Sequence, residues 1–468
     1  MGIHRRDVLK MAGYSLAGLA GTRVGLGSAS ADEGRLIVRD VCVIGGGSAG
    51  TYAAVRLRDM GKSVVVVERK GRLGGHAETF HDPATGTPVD IGVIVFEPED
   101  VVRNYFARFN VSLVPANFTG GETAYVDYRS GRLVNGYAPP PPQDFFAALL
   151  TYQQILLQQF PYLDDGFNLP DPVPPDLVAP FGAFAQKYAL GALVPTVFQY
   201  GQGLGDALQD PALYVLKLFG AGVVNAIVGN PFLTAPGGSA QLYDAAATFL
   251  DGDVLFNARV ARVDRRRRDA IRVWVDADDG PRRIHCEKLV IACPPTANSL
   301  APLDLDPVEA TLLTRFRPNH YSTAIVKLSG LAPGLSIQNT AADTRYNLPP
   351  LPGIYGLNPT PIPGLWNVKY GSPFPLPDFV VQQAIAADIR RLESAGTFPV
   401  VFEGFEIFSN HQPFEMMVDP AEIALGFYRS LQALQGRNNT FYTGAAFQTN
   451  DSSRIWRFTE SLLPQITG

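Results

Sequence analysis

Cysteine, histidine and net charge are all scarce in this chain, and each scarcity removes a class of function. Three cysteines, Cys42, Cys286 and Cys293, cannot build a disulfide framework. Cys42 and Cys293 fall inside apolar strand-like stretches, where a thiol serves as a small hydrophobe. Six histidines show no spacing that would gather several of them around one ion, so no metal is expected. A formal net charge of -5 leaves no electrostatic footprint for nucleic acid. The one dense basic run, Arg265 to Arg268, sits between the alternating segments Val260 to Asp264 and Ile271 to Asp276 and is expected at a solvated hairpin tip. Long apolar runs are missing too. The best candidate, Met11 to Gly27, is rich in glycine and carries Arg23, which makes it a poor membrane span.

What is present begins at residue 41. The apolar strand Val41 to Ile44 runs into Gly45, Gly47 and Gly50. A helix follows (Thr51 to Met60), then a second apolar strand (Val64 to Val67) ending on Glu68. This order makes a complete dinucleotide-binding βαβ unit. Gly45 permits the tight turn, Gly47 lets a pyrophosphate approach the backbone, and Gly50 lets helix and strand pack closely. Ser48, inside this loop, is a further cofactor-binding candidate, and the helix N-terminus faces the phosphates. Glu68 lies eighteen residues beyond Gly50, where a carboxylate can accept hydrogen bonds from ribose hydroxyls. Directly after it, Arg69-Lys70-Gly71-Arg72-Leu73-Gly74-Gly75-His76 supplies a second glycine pair. An extended FAD running past the first loop needs such a side-chain-free backbone again, so FAD is preferred over NAD; a plain surface turn is the alternative. Gly201-Gln-Gly203-Leu-Gly205 and Gly220-Ala-Gly222 lack a preceding strand and a distant acid. No second nucleotide domain is expected.

The N-terminus bears on compartment. His4-Arg5-Arg6-Asp7-Val8-Leu9-Lys10 precedes the mildly apolar stretch, and Ala29-Ser30-Ala31 offers a small-residue cleavage site. The paired arginines followed by Val-Leu-Lys resemble a twin-arginine export signal, which suits a protein that folds around its cofactor before leaving the cytoplasm. An ordinary export signal or an uncleaved anchor is the competing reading. The mature protein is expected to start near Asp32, outside the cytoplasm, with no transmembrane segment.

Further along, Thr87 to Phe96 reads as a buried strand, with Gly92 where a flavin ring can lie against the backbone. Residues 97–232 turn helical and aromatic, with prolines between apolar helices such as Phe145 to Phe160 and Ala212 to Ala226. A helix (Gln241 to Leu250), the strand Val254 to Phe256, a β-meander over 258–287 and the buried strand Leu289 to Cys293 come next. The chain closes on a strand into Thr443-Gly444-Ala445 and a helix, Ser452 to Leu463, again offering an N-terminus to phosphate or ribityl oxygens.

The first βαβ unit, Gly74-Gly75, the Ile-Ala-Cys-Pro-Pro strand and the terminal Tyr-Thr-Gly turn resemble the flavin amine oxidase superfamily. Within it, Ala212-Leu-Tyr-Val-Leu-Lys217 and Leu434-Gln-Gly-Arg437 through Gly444 resemble the branch of polyunsaturated fatty acid isomerase and β-cyclopiazonate dehydrogenase. The resemblance implies an α+β fold: a discontinuous Rossmann-like α/β FAD-binding domain, a mixed-sheet substrate domain and a helical cap. It implies a division into a signal (1–31), FAD parts at 36–96, 233–300 and 431–468, a cap region at 97–232 and a substrate sheet at 301–430. By the same resemblance Glu68, with Arg69 beside it, holds adenosine ribose, and Val260 meets adenine. Gly45, Gly47, Ser48, Gly50 and Gly444 line the phosphates; Gly74, Gly75, His76 and Gly92 approach the ribityl or flavin ring.

Departures from that pattern bear on chemistry. No lysine follows the Pro-Pro in Thr296 to Leu300, His76 stands where arginine is usual, and Ala445 replaces an acid. No cysteine lies near the C-terminus, so FAD is expected to be non-covalent. Three functions follow. One is an exported FAD-dependent oxidoreductase removing a hydride from an apolar or amine-bearing small molecule. The second is a redox-neutral isomerase of unsaturated fatty acids, and the third a catalytically silent FAD-binding protein. No catalytic base is named, and oligomeric state stays open. Phe184, Tyr188, Phe198 and Tyr200 are candidates to line a tunnel, although ordinary core packing is the stronger expectation for each. Trp366 and Tyr370, four apart in one strand, share a face that is either a pocket floor or the underside of the sheet.

Overall fold

A computed structural model describes residues 34–117, 121–267 and 269–468. The export-signal reading of residues 1–31 and the side chain of Arg268 lie outside the described residues. Two sheets organise the rest. In the first, the strand Arg35–Ile44 pairs in parallel with Val64–Val67 on one side and with Gly280–Ile291 on the other. Val254–Leu255 extends the sheet beyond Val64–Val67, and Thr440–Tyr442 pairs with the end of Gly280–Ile291. Five parallel strands therefore come from three distant stretches of chain. Their β-branched, alternation-free runs suit strands covered on both faces, and every residue of Val64–Val67 is buried. The start of Gly280–Ile291 pairs instead with Ile271–Ala277, which pairs with Arg259–Asp264, forming the meander.

Two helices join the ends of the chain on this sheet. Ser48–Asp59 and Ser452–Thr467 lie against each other: Arg56 meets Glu460 at 3.0 Å, and the rings of Tyr52 and Trp456 stack at 5.9 Å.

The second sheet runs in the order Val401–Asn410, His320–Ser329, Leu365–Ser372, Gly353–Pro359, Ser336–Asn339, Thr123–Asp127, Arg132–Leu133. The helix Asp378–Ser394 covers its outer face. Val381, Ile385 and Ile389 pack there on Ala324, Val326, Trp366, Val368 and Tyr370. Trp366 and Tyr370 thus form the underside of the sheet. Among the described residues no helix is long and apolar enough to cross a membrane.

Several expectations are corrected. The strand predicted over 87–96 is confined to Pro88–Asp90, paired with Thr79–His81. Beyond it the chain turns at Ile91-Gly92, because the Ile91 N–H bonds the Glu78 carbonyl at 2.9 Å and the backbone then leaves the ladder. The helix predicted over 212–226 is two, Ala212–Leu218 and Ala221–Val228. The break falls where the Phe219 carbonyl accepts the Tyr152 hydroxyl at 2.7 Å and Gly220 packs on the Arg454 guanidinium. Cys42 is buried in its strand, whereas Cys293 is half-buried beyond the end of Gly280–Ile291.

Arg265 departs furthest from expectation. Its neighbours Arg266 and Arg267 are exposed, but its own guanidinium is buried. It forms a bidentate pair with the fully buried Glu309 (both contacts 2.7 Å) and a third contact with Asp304 at 2.8 Å. Glu309 also accepts the Tyr442 hydroxyl at 2.9 Å, so this cluster ties the meander to the C-terminal strand. Counting charges in sequence cannot distinguish a solvated arginine from one whose acids arrive forty residues later. Arg265→Ala leaves the Glu309 carboxylate buried without its partner, which costs about 3–5 kcal/mol; calorimetry should show a clearly lowered melting temperature for this variant and little change for Arg266→Ala.

Candidate cofactor and substrate site

The fingerprint loop owes its shape to contact between backbones. Gly45 holds φ of +101°, and a Cβ on Gly50 would overlap the Gly45 carbonyl oxygen. With no side chain between them, the helix Ser48–Asp59 starts directly at the strand end, its first N–H groups facing the cleft. Gly45, Gly47 and Ser48 are half-buried amid a buried core. Across from them, the second long helix begins at Ser452, and the Ser48 and Ser452 hydroxyls meet at 2.9 Å. The buried Tyr243 hydroxyl lies beside them, near both serine hydroxyls but out of good hydrogen-bond geometry. Two helix N-termini, two serine hydroxyls and a phenol converge, a donor set suited to phosphate oxygens. Gly444, with φ of +108° and half-buried, completes this edge.

Glu68 is buried at the end of Val64–Val67. Its two carboxylate oxygens accept the Gly46 and Lys70 N–H groups, both at 2.7 Å, and keep lone pairs for ribose hydroxyls. Ala258 N–H bonds the Glu68 carbonyl at 2.9 Å, which brings Val260 to the same end of the sheet, where a bulge follows it. Arg69 is exposed. Gly74 and Gly75 fold back on the first loop: Gly74 N–H bonds the Gly46 carbonyl at 2.8 Å, and a Cβ on Gly75 would come 2.9 Å from the Gly47 Cα. Gly92 makes a close backbone contact of its own, since a Cβ there would overlap the His76 carbonyl oxygen.

His76 opens a second region that sequence reasoning did not assemble. Its ring stacks on His411 at 4.7 Å and on Phe414 at 6.0 Å; Phe414 in turn meets Tyr321 at 4.7 Å. The buried Tyr355 donates nothing to these rings but accepts the Gly203 N–H at 3.0 Å, so the glycine-rich loop 201–205 closes the same wall. Glu78 anchors it from behind, accepting Ser409 at 2.5 Å and Arg72 at 3.0 Å. Burial alone would raise the Glu78 carboxyl, but the His411 imidazole 3.9 Å away, the Ser409 hydrogen bond and the Arg72 charge outweigh it and hold it at about 2. Burial, then His411 and the basic run Lys70, Arg69 and Arg72, push the His76 pKa well down, so its imidazole is neutral at pH 7. His411 is likewise lowered by burial. Of the tunnel candidates, Phe198 packs on Tyr355 at 5.2 Å and Tyr200 stacks on Phe232, whereas Phe184 and Tyr188 pack on each other away from this wall. A segment centred on a proline, His411-Gln-Pro-Phe-Glu415, was the available signal, but it carries no period to place it.

Behind Phe414 lies Glu415, buried, with Asn450 donating to it at 2.6 Å. Burial raises its pKa to about 8, and the neighbouring Asp210 is raised by burial, then by Asp206 and Glu415. Lys217, from the motif that carried the closer resemblance, is buried and donates to the Leu163 and Gly166 carbonyls and to Gln448. Between pH 4.5 and 8 the unfolded chain releases a proton that folded Glu415 retains, so stability falls across this window. Glu415→Gln removes that slope; its melting temperature should match the wild type near pH 4.5 and exceed it by about 5 °C at pH 8. Glu68→Ala should lose FAD affinity by about tenfold or more, read as a fallen flavin-to-protein absorbance ratio after gel filtration.

Comparison with known proteins places this geometry. Residues 48–328 match the model of the flavin-containing amine oxidoreductase family. An FAD-dependent oxidoreductase of Emericella nidulans is 38% identical, with 97% of this chain and 96% of the relative covered. Another, of Cochliobolus heterostrophus, is 37% identical with 92% of each covered, and the β-cyclopiazonate dehydrogenase of Aspergillus oryzae is 35% identical over 92% and 93%. The fold is shared with a CLA-producing fatty acid isomerase from P. acnes (TM-score 0.74, 18% identity, 94% of this chain and 100% of that one). It is shared also with putrescine oxidase (TM-score 0.65, 17% identity, 92% and 100%). This chain belongs to the flavin-containing amine oxidoreductase family and is an FAD-dependent oxidoreductase.

Proposed function

We propose that the chain is an exported oxidoreductase that removes a hydride from an apolar small molecule, or from one bearing an amine. The observation that carries this reading is the stacked wall His76, His411, Phe414 and Tyr321, standing directly after the Gly74-Gly75 loop. FAD, when bound, supplies the hydride acceptor. The residues of the chain supply what surrounds it. Glu68 and the two helix N-termini hold the dinucleotide, and the aromatic wall keeps water out and presents flat apolar surface to a substrate. Neutral His76 orients by hydrogen bonding rather than by charge. Hydride removal from carbon needs no strong base, and the wall offers none.

Relatives described as FAD-dependent oxidoreductases and as a dehydrogenase support oxidation over isomerisation. Export rests on Arg5-Arg6 and the small residues at 29–31. The deciding experiment is an anaerobic visible spectrum of purified holoprotein during additions of amines, unsaturated fatty acids and polycyclic apolar compounds, with product analysis. Bleaching by one compound, reversed by air with release of peroxide, is expected. A shifted double bond with the spectrum unchanged would assign the isomerase instead. Replacing Arg5-Arg6 by two lysines should retain the protein in the cytoplasm of a twin-arginine-competent host, read by cell fractionation.

A further inference from the structure

Most of the deeply placed cations described above have partners. Arg265 has Glu309 and Asp304, Arg454 has Glu97 at 2.9 Å and Asp164 at 2.7 Å, and Lys217 has two carbonyls and an amide. Lys369 has none: among the described residues neither a hydrogen bond nor an ion pair reaches its ammonium group, and burial lowers its pKa to about 8 with no charge nearby to offset it. Lys369 is half-buried, so its ammonium is partly shielded from water with no counter-ion beside it, an arrangement that folds rarely keep without use.

Its position is fixed by the sheet. Lys369 stands in the strand Leu365–Ser372, between Thr323 on one side and Gly356 on the other. Trp366, Val368 and Tyr370 point outward beneath the helix Asp378–Ser394, so alternation turns Lys369 to the inner face. Neither flank neutralises it: the Thr323 hydroxyl is committed to the Ile91 carbonyl at 2.6 Å, and Gly356 has no side chain. Asn367, two residues earlier on the same face, is 7% exposed and its side-chain Oδ1 has no partner. The oxygen and nitrogen of such an amide are interchangeable by a flip, so this point can present an N–H beside the ammonium. In the other direction, two residues or about 7 Å along the strands, the inner face carries Tyr321 and His411, part of the wall against His76.

We propose that Lys369, assisted by Asn367, receives a carboxylate on an otherwise apolar substrate and so fixes which part of that molecule reaches the wall. The proposal rests on the reading of the inner face as the substrate side. An ammonium-bearing end of a substrate is repelled from this point. The charge has no partner among the described residues and gains its counter-ion from a ligand, which makes it a selector of acids over alcohols and esters.

The test is isothermal calorimetry of the FAD-loaded protein with decanoate, decan-1-ol and decylamine, in the wild type, Lys369→Met and Lys369→Arg. Decanoate should bind the wild type more tightly than the other two. Lys369→Met should weaken decanoate by about 30-fold or more while leaving decan-1-ol unchanged, and Lys369→Arg should stay within about threefold of the wild type. Flavin content and melting temperature at wild-type level or above would show that Lys369→Met folds, as expected when an uncompensated charge is removed. Equal decanoate affinity in Lys369→Met and wild type, an equal loss for acid and alcohol, or no decanoate binding by the wild type overturns the proposal. Decanoate is saturated and the measurement involves no turnover. Failure of the hydride-removal reading would therefore show as absent bleaching across the compound panel, independently of this result.

Discussion

The approach of backbone to backbone at Gly45, Gly47, Gly50 and Gly75 sets the terms for everything else in this molecule. Gly50 lies so close to the Gly45 carbonyl that a methyl group would overlap it, and Gly75 lies almost as close to Gly47. Because these contacts are made without side chains, the first strand, the first helix and the Gly74-Gly75 loop form one compact corner whose N–H groups face outward into the cleft. His76 follows that corner directly, so the position of the aromatic wall is inherited from it. Glu68 locks the corner from below by accepting an N–H from each of its two loops, at Gly46 and at Lys70. A residue needed for ribose is therefore also a strut of the loop.

Three distant segments must meet to build this site, and buried charge clusters join them. Glu97 and Asp164, from the first and middle thirds of the chain, converge on Arg454 in the last helix. Asp304 and Glu309 bind Arg265 of the meander, and Glu309 reaches Tyr442 of the C-terminal strand. Lys217 performs the same service between the cap and Gln448. Partnered in this way, buried ions specify which segments adjoin, since any other arrangement would strand a charge away from water.

The first βαβ unit was legible because its signals are local: a strand, three glycines, a helix and an acid within thirty residues obey fixed spacings. The same is true of the meander and of the final strand, glycine and helix. What escaped reading depends on contacts between remote segments. The turn at Gly92 comes from a contact with His76, sixteen residues earlier. The split at Phe219-Gly220 comes from Tyr152 and Arg454. The wall of His76, His411, Phe414 and Tyr321 joins positions more than three hundred residues apart, and no periodicity connects them. Arg265 was misplaced for the same reason: its acids are invisible to a reading that sees only its arginine neighbours. Trp366 and Tyr370 were correctly given one face by parity, but only the helix Asp378–Ser394 determines which face that is.

The electrostatics of the wall narrow its chemistry. His76 and His411 are both held neutral by burial, Glu78 is held ionised near 2, and Glu415 keeps its proton to about 8. Around neutral pH, then, the three groups of the wall and its anchor have settled charge states, and the one carboxyl that titrates near neutrality, Glu415, lies behind Phe414. Such surroundings suit a reaction in which hydrogen leaves carbon together with its electron pair, and where the contribution of the protein is shape, dryness and orientation. The same scaffold serves a fatty acid isomerase and a putrescine oxidase, proteins that share only its fold. Discrimination among substrates must consequently lie outside the dinucleotide corner, in the side chains that the second sheet and the cap turn toward His76. On that inner face, among the described residues, Lys369 stands without a counter-charge, whereas Glu78 is answered by Arg72 and Lys327 by Glu403.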